Sequence, residues 1–245
     1  MTAVRSRQSA VAGGIEGTTA AARLPTADLW VFAYGSLMWR PGFAYAEARR
    51  ARLTGYRRGF CIYSVHHRGT PARVGMVLGL DRGGTCEGIA YRIAAADVAA
   101  TRGYLRAREL VNGVYREALV TLELEHPPAQ VTALAYIVER AHPTYAGRLP
   151  LSVQARLIRA GKGLSGTNLD YLVSTARHLR DLGIRERELE RLVTLVGPLA
   201  WTRARAQHTS PYAAGIVRAE QHRPPPVRLP ARKSGSDFLY RQRIP

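Results

Sequence analysis

The stretch Trp30-Val-Phe-Ala-Tyr-Gly-Ser-Leu-Met-Trp-Arg-Pro-Gly-Phe43 opens as an apolar run and stops abruptly at Gly35-Ser36. Aromatic and β-branched residues ahead of such a break read as a buried strand, Leu29–Tyr34, that delivers its end into a loop. Turn residues divide the sequence beyond it into further strand-like runs at Arg58–Ser64, Arg73–Leu80, Thr85–Ile93, Val114–Leu124 and Gln130–Val138. In the fifth of these six, Arg116, Ala118, Val120, Leu122 and Leu124 alternate with Tyr115, Glu117, Leu119, Thr121 and Glu123, which predicts that the first set is buried. One helix, about Asp97–Glu109, interrupts the strands, and three follow them at Val153–Ala160, Leu169–Leu182 and Glu186–Leu199. Leu169, Leu172, Val173, Ala176 and Leu179 repeat at helical spacing, with Thr167 or Asn168 as the cap and Gly183 as the stop. Glu186, Glu188 and Glu190 suit the start of the last helix, where the dipole favours negative charge. Strands come first and helices afterwards, so the class is α+β and not alternating βαβ.

The 245 residues, 46% of them hydrophobic, are ample for a packed core and exclude a wholly disordered chain. No run approaches the roughly 18 apolar residues of a membrane-spanning helix. Two cysteines, Cys61 and Cys86, are too few for a disulfide scaffold or structural zinc, which points to a reducing, cytoplasmic setting. The formal charge of +18 raises the alternative of a nucleic-acid binder. Its distribution argues against that reading: residues 1–27, 28–202 and 203–245 carry +2, +9 and +7, and Lys162 and Lys233 are the only lysines among 36 basic residues. The first segment is read as a loose extension without the apolar core of a secretory signal, and the last, with Pro224-Pro225-Pro226 and nine basic residues, as a disordered tail. The tail offers only Tyr212, Phe238 and Tyr240 for stacking on single-stranded bases. The ordered domain is therefore expected over 28–202.

Several motifs carry chemistry only on condition. Gly161-Lys-Gly-Leu-Ser-Gly166 spells GxGxxG, but a helix precedes it where a dinucleotide site needs a strand, so it reads as a helix end and loop whose glycines supply positive φ. His66 and His67 are adjacent and, if extended, point to opposite sides, so they make no metal pair. Cys61 within an apolar strand reads as a buried, inert thiol. At the end of the first strand, Tyr34-Gly35-Ser36-Leu37 exposes consecutive backbone N–H groups, a nest for a carboxylate or an oxyanion. In Tyr104-Leu-Arg-Ala-Arg-Glu-Leu-Val-Asn-Gly-Val-Tyr-Arg116, Glu109 ends a helix just before Leu110-Val111. Either it is a solvated carboxylate paired with Arg106 or Arg108, or the helix end and the apolar pair raise its pKa toward that of a general base.

Taken in order, WVFAYGSLMWRPGF, PARVG, EGIAYRI, YLRARELVNGVYR, HPTY and GLSGTNLDYLVSTARHLRDLGI resemble the ChaC-like γ-glutamylcyclotransferases over about Leu29 to Val196. Two departures are visible: Ala33 stands where such sequences usually carry Gly, and Ala72 replaces the Gly of a PGRV run. The resemblance implies a mixed sheet or small β-barrel packed with helices, and cleavage of glutathione to 5-oxo-L-proline and Cys-Gly with no metal or cofactor. The expected partner is the small-molecule substrate glutathione, with no membrane, with nucleic acid disfavoured by the charge distribution, and with the chain a monomer or weak dimer. It assigns Glu109 as proton acceptor and donor, and Val31, Phe32, Ala33, Tyr34, Gly35, Ser36 and Leu37 to the substrate loop and its strand. Arg73, Tyr115 and Tyr145 are assigned to the pocket on the same ground, Arg73 as a bidentate partner for a substrate carboxylate. Glu117 competes as base because it shares a strand face with Tyr115. Other γ-glutamyl amino acids or γ-glutamylamines remain the alternative substrates.

Overall fold

Strand β1 (Leu29–Ala33) lies between β3 (Gly75–Ile93), to which it is antiparallel, and β5 (Ala129–Val138), to which it is parallel, and this last pairing closes a barrel in the order β1-β3-β2-β4-β5. The computed structural model describes residues 27–197. The expected extension 1–27, apart from its last residue, and the expected tail 203–245 lie outside the described residues, as does the end of the helix expected to reach Leu199. Strand β2 (Glu47–Ser64) pairs with β3 along its length and with β4 (Tyr115–Leu124) at Ala51↔Leu124 and Arg52↔Glu123. Helix α1 (Val98–Glu109) connects β3 to β4, and α2 (Leu151–Ala160), α3 (Asn168–Asp181) and α4 (Arg187–Val196) follow β5.

The two long strands depart from the sequence expectation. Asp81-Arg82-Gly83-Gly84 reads as a turn, yet β3 runs through it, with Gly83 at φ 97° and Gly84 at φ 78° opposite Gly55 at φ 88°. Glycine takes these conformations without the Cβ clash other residues meet, so the signal marks a bulged bend in a continuous hairpin. The first half of β2 was masked by its charge. Arg49, Arg50 and Arg52 sit among the inward Ala51 and Leu53, and their guanidinium groups pair with Glu47, Glu87 and Glu125. Strand β3 also begins at Gly75, so Arg73 belongs to a tight Thr70–Arg73 bridge and not to a strand. His66 and His67 likewise lie in the bend after β2, their rings edge to face at 5.1 Å.

Alternation along β1 feeds two cores. Val31 and Ala33 join Phe60, Met76, Leu78 and the helices, whereas Phe32 and Tyr34 fill the barrel with Leu53, Leu80, Cys86, Leu122 and Ile137. Along β4 the expected inward set holds for Val120, Leu122 and Leu124, but Arg116 is exposed and the half-buried Tyr115 takes the interior contact at that end. The Thr167 hydroxyl accepts from the Asp170 N–H as the cap of α3, and Gly183 closes its end at φ 70°. Asn168 is wholly buried and bonds both the N–H and the carbonyl of Met76, which fastens α3 to β3. The GxGxxG look-alike is a two-rung hairpin of β6 (Lys162–Gly163) and β7 (Gly166–Thr167) between α2 and α3. Only Gly166 uses positive φ there. Gly161 and Gly163 are required by close approach, since a Cβ would fall 2.6 Å from the Arg68 carbonyl oxygen and 2.3 Å from that of His66. No described helix is long and apolar enough to cross a membrane.

Candidate active site

Helix α1 ends so that the last two residues of its final turn, Arg108 and Glu109, face the loop that leaves β1. Glu109 keeps 18% of its side-chain surface exposed, and Arg108 Nε, 3.2 Å from Oε1, is the only donor that reaches its carboxylate among the described residues. Of the two arginines expected to pair with it, Arg106 goes to Glu117 instead. Burial pushes the Glu109 carboxyl above the ordinary carboxylate range, against the opposing pull of the Arg108 guanidinium. Its charge is felt by Tyr34, Tyr115, Tyr136 and Tyr171. Burial holds the hydroxyls of Tyr34 and Tyr115 well above the usual phenol range and that of Tyr171 at about 12, so all three stay protonated. Tyr34 donates to the Tyr136 carbonyl at 2.9 Å and Tyr115 to that of Leu78 at 2.6 Å.

The loop carries the complementary groups. After Tyr34 the chain turns through a short 3₁₀ segment, Ser36–Met38, closed by the Met38 N–H on the Gly35 carbonyl at 2.9 Å. The N–H groups of Gly35, Ser36 and Leu37 have no acceptor among the described residues. The space beside Gly35 is open, with no heavy atom within 4 Å of where a Cβ would stand. These three consecutive N–H groups are donors that a carboxylate or an oxyanion could take up. Arg108 joins this loop to Glu109: its Nη2 donates to Ser36 Oγ at 2.9 Å, while Nη1 reaches the Arg40 carbonyl and the Tyr104 hydroxyl, each at 2.8 Å.

The structure sorts the expected site residues into two groups. Glu109, Tyr34, Gly35, Ser36, Leu37 and Tyr115 come together. Val31, Phe32 and Ala33 have no exposed surface and carry the loop from beneath. Arg73 is exposed on its turn, and its guanidinium has no partner among the described residues. Tyr145 packs with Tyr115 against Cys61, Ile62, Val114 and Val138, but its hydroxyl is taken by Asp81 at 3.1 Å, in a cluster with Arg57 and Arg140. Glu117 is bound by Arg106 at 2.8 and 2.9 Å, by Arg102 at 3.0 Å and by the Tyr136 hydroxyl at 3.2 Å, and these donors, Arg106 foremost, hold its pKa at about 2. Cys61 is buried as expected, its pKa raised by burial to about 12. Among the described residues, no three His, Cys, Asp or Glu side chains converge as metal ligands.

Sequence reasoning missed three contributors. Tyr171, in the first turn of α3, stacks under the Arg68 guanidinium at 5.0 Å from its ring centre. Tyr136 links the site to Glu117 through its hydroxyl and its carbonyl. Arg58 is buried beneath the loop, and the signal that could have found it was its place in the apolar run Arg58-Gly-Phe-Cys-Ile62, where a charge needs a reason.

Known proteins similar to this chain share its family and its fold. The family described as ChaC-like protein matches residues 29–199. Glutathione-specific gamma-glutamylcyclotransferase 1 of Mus musculus is 39% identical over 176 residues, covering 70% of this chain and 79% of its own length. The glutathione-specific gamma-glutamylcyclotransferase of Escherichia coli (strain K12) is 34% identical over 181 residues, covering 74% and 78%. Among solved structures, a gamma-glutamyl cyclotransferase specific to glutathione from yeast superposes with a TM-score of 0.63 at 23% identity, covering 69% of this chain and 96% of that one, a likeness of fold.

Proposed function

The chain belongs to the ChaC-like family, and from that membership we propose that it cleaves glutathione, cyclising the γ-glutamyl group to 5-oxo-L-proline and releasing Cys-Gly. The relatives' names supply the substrate. The observation that carries the mechanism is a half-buried carboxylate whose one ion-pair partner among the described residues is Arg108, joined through that arginine to a loop in which three N–H groups have no acceptor among those residues.

The α-amine of glutathione is an ammonium at neutral pH and cannot attack until it loses a proton. Glu109 accepts that proton, and its raised pKa makes it a stronger base than an ordinary carboxylate. The freed amine forms a bond to the γ-carbonyl carbon, and charge moves onto the carbonyl oxygen, where N–H groups of Gly35, Ser36 and Leu37 meet it. On collapse the bond to the cysteine nitrogen breaks and protonated Glu109 gives its proton to that leaving nitrogen, while the second proton of the ring nitrogen, lost as the lactam forms, passes by way of the same carboxylate to the Cys-Gly amine. One C–N bond is exchanged for another, no water is consumed and no cofactor is needed. Both reacting groups belong to one molecule, so folding the glutamyl chain into a five-membered ring supplies an advantage on the order of 7–11 kcal/mol. Tyr34, Tyr115 and Tyr171, protonated and fixed, supply the wall against which it folds.

Purified chain incubated with glutathione and, separately, with γ-glutamyl-alanine tests this reading by assay of 5-oxoproline. Release from glutathione well above that from γ-glutamyl-alanine is the expected result. Equal or preferred turnover of γ-glutamyl-alanine would move the substrate assignment, and release from neither would remove the activity.

A further inference from the structure

Arg58 is a charge where the fold has no general need of one. Its side chain is 0% exposed, and each nitrogen of its fork has a different partner. Nε donates to the Tyr34 carbonyl at 2.5 Å, Nη1 pairs with Glu186 Oε1 at 2.5 Å just ahead of α4, and Nη2 donates to the Glu87 carbonyl of β3. Nη2 also lies 3.9 Å from the Met38 sulfur at the far end of the loop. One rigid, planar guanidinium thus spans the start and the end of the Tyr34–Met38 turn and ties both to the barrel wall and to a helix.

We infer that Arg58, held in place by Glu186, is a positioning residue that aims and polarises the Gly35 N–H of the anion nest. The inference rests on the proposed cyclisation at that nest. The Tyr34 carbonyl and the Gly35 N–H are two ends of one planar peptide group, so fixing the oxygen fixes the direction of the N–H. A hydrogen bond from a charged donor draws electron density toward that oxygen, and hydrogen bonds linked in this way strengthen one another. The Gly35 N–H, which has no acceptor among the described residues, is therefore a better donor to an oxyanion than an unassisted amide. Glu186 balances the buried charge from the side away from the loop, and Tyr34 itself cannot substitute, because its hydroxyl is committed to Tyr136.

Arg58→Lys keeps the charge and loses the fork. Removing an oxyanion donor outright costs about 10²–10³-fold in kcat, so a misaimed donor is expected to cost about 10–100-fold. KM is expected to change less than about threefold, and the acid limb of the pH profile, set by Glu109, is expected to stay in place. Leu122→Ala, on β4 in the barrel interior, serves as a control of reduced stability. A folded Arg58→Lys whose kcat stays within about threefold of wild type, or a Leu122→Ala of equal thermal stability that loses as much kcat, overturns the inference. If Arg58→Lys does not fold, Glu186→Ala decides: a fall in kcat of about threefold or more with an unmoved acid limb supports the role, and an unchanged kcat removes it. A wild-type chain that releases no 5-oxoproline from glutathione would sink the cyclisation itself, a result distinct from an active wild type matched by its Arg58 variants.

Discussion

Glu109 and Glu117 stand eight residues apart, one closing α1 and the other on β4, with almost the same side-chain exposure, 18% and 19%. Their titrations diverge in opposite directions. Glu117 has three charged hydrogen bonds from Arg106 and Arg102 and a fourth from Tyr136, which hold it at about 2, whereas Glu109 has one neighbouring guanidinium, and burial carries it upward. Exposed area does not decide which carboxylate can work as a base. Desolvation and the number of committed donors together do, because burial disfavours the ionised form and each donor stabilises it.

The largest effect expected from breaking this contrast is on turnover. Glu109→Gln should fold as wild type and lose about 10²–10⁴-fold in 5-oxoproline release, the usual span for removing a general acid–base. Glu117→Gln should stay within about threefold of wild type in the same assay. The reverse outcome would hand the role to Glu117. Next in size is Arg108→Ala, which removes the bridge between base and loop. Turnover is expected to fall by about tenfold, on the scale of lost orientation. Because Arg108 pulls the Glu109 pKa down, its removal lets that pKa rise further, so the acid limb of kcat/KM against pH should move to higher pH.

Two smaller effects concern stability. The folded pKa of Glu117, about 2, lies below the ordinary 4.5, so its contribution is present above about 4.5 and is lost as pH falls toward 2. Glu117→Gln should therefore flatten the loss of Tm across that window relative to wild type. Glu109 behaves oppositely. Its folded pKa is raised, so stability is lost as the pH rises from the ordinary 4.5 through that pKa. Glu109→Gln is then expected to raise Tm at neutral pH by at most a few degrees, with the gain fading as the pH drops below the ordinary carboxylate range. An unchanged or lower Tm at pH 7 would mean that the carboxylate is not under strain.

Much of this contrast was visible in the sequence, and what was hidden has physical causes. The apolar run into Tyr34-Gly35-Ser36-Leu37, the helix ending at Glu109 and the alternation from Ala118 to Leu124 lay in local patterns that one face of a strand or helix imposes. The first half of β2 did not, because its arginines suggest a surface loop until Glu47, Glu87 and Glu125 arrive from elsewhere to pair with them. The fate of Glu117 was hidden for a related reason: Arg102 and Arg106 belong to α1, and nothing in the strand itself announces donors from a helix. Tyr145 and Arg73 were placed in the pocket by family likeness. The structure commits the Tyr145 hydroxyl to Asp81 and leaves Arg73 on an exposed turn. The place of Arg58 in an apolar run marks it as unusual, but its role was hidden, since the acceptors of its hydrogen bonds at Tyr34, Glu87 and Glu186 are 24, 29 and 128 residues away in sequence.

The separation of the two carboxylates is measured most directly by following the side-chain carboxyl carbon resonances of Glu109 and Glu117 by NMR as the folded chain is titrated. Glu117 is expected to titrate near 2 and Glu109 above the ordinary carboxylate range. Coincident titrations, or Glu109 titrating below Glu117, would contradict the assignment of Glu109 as the base.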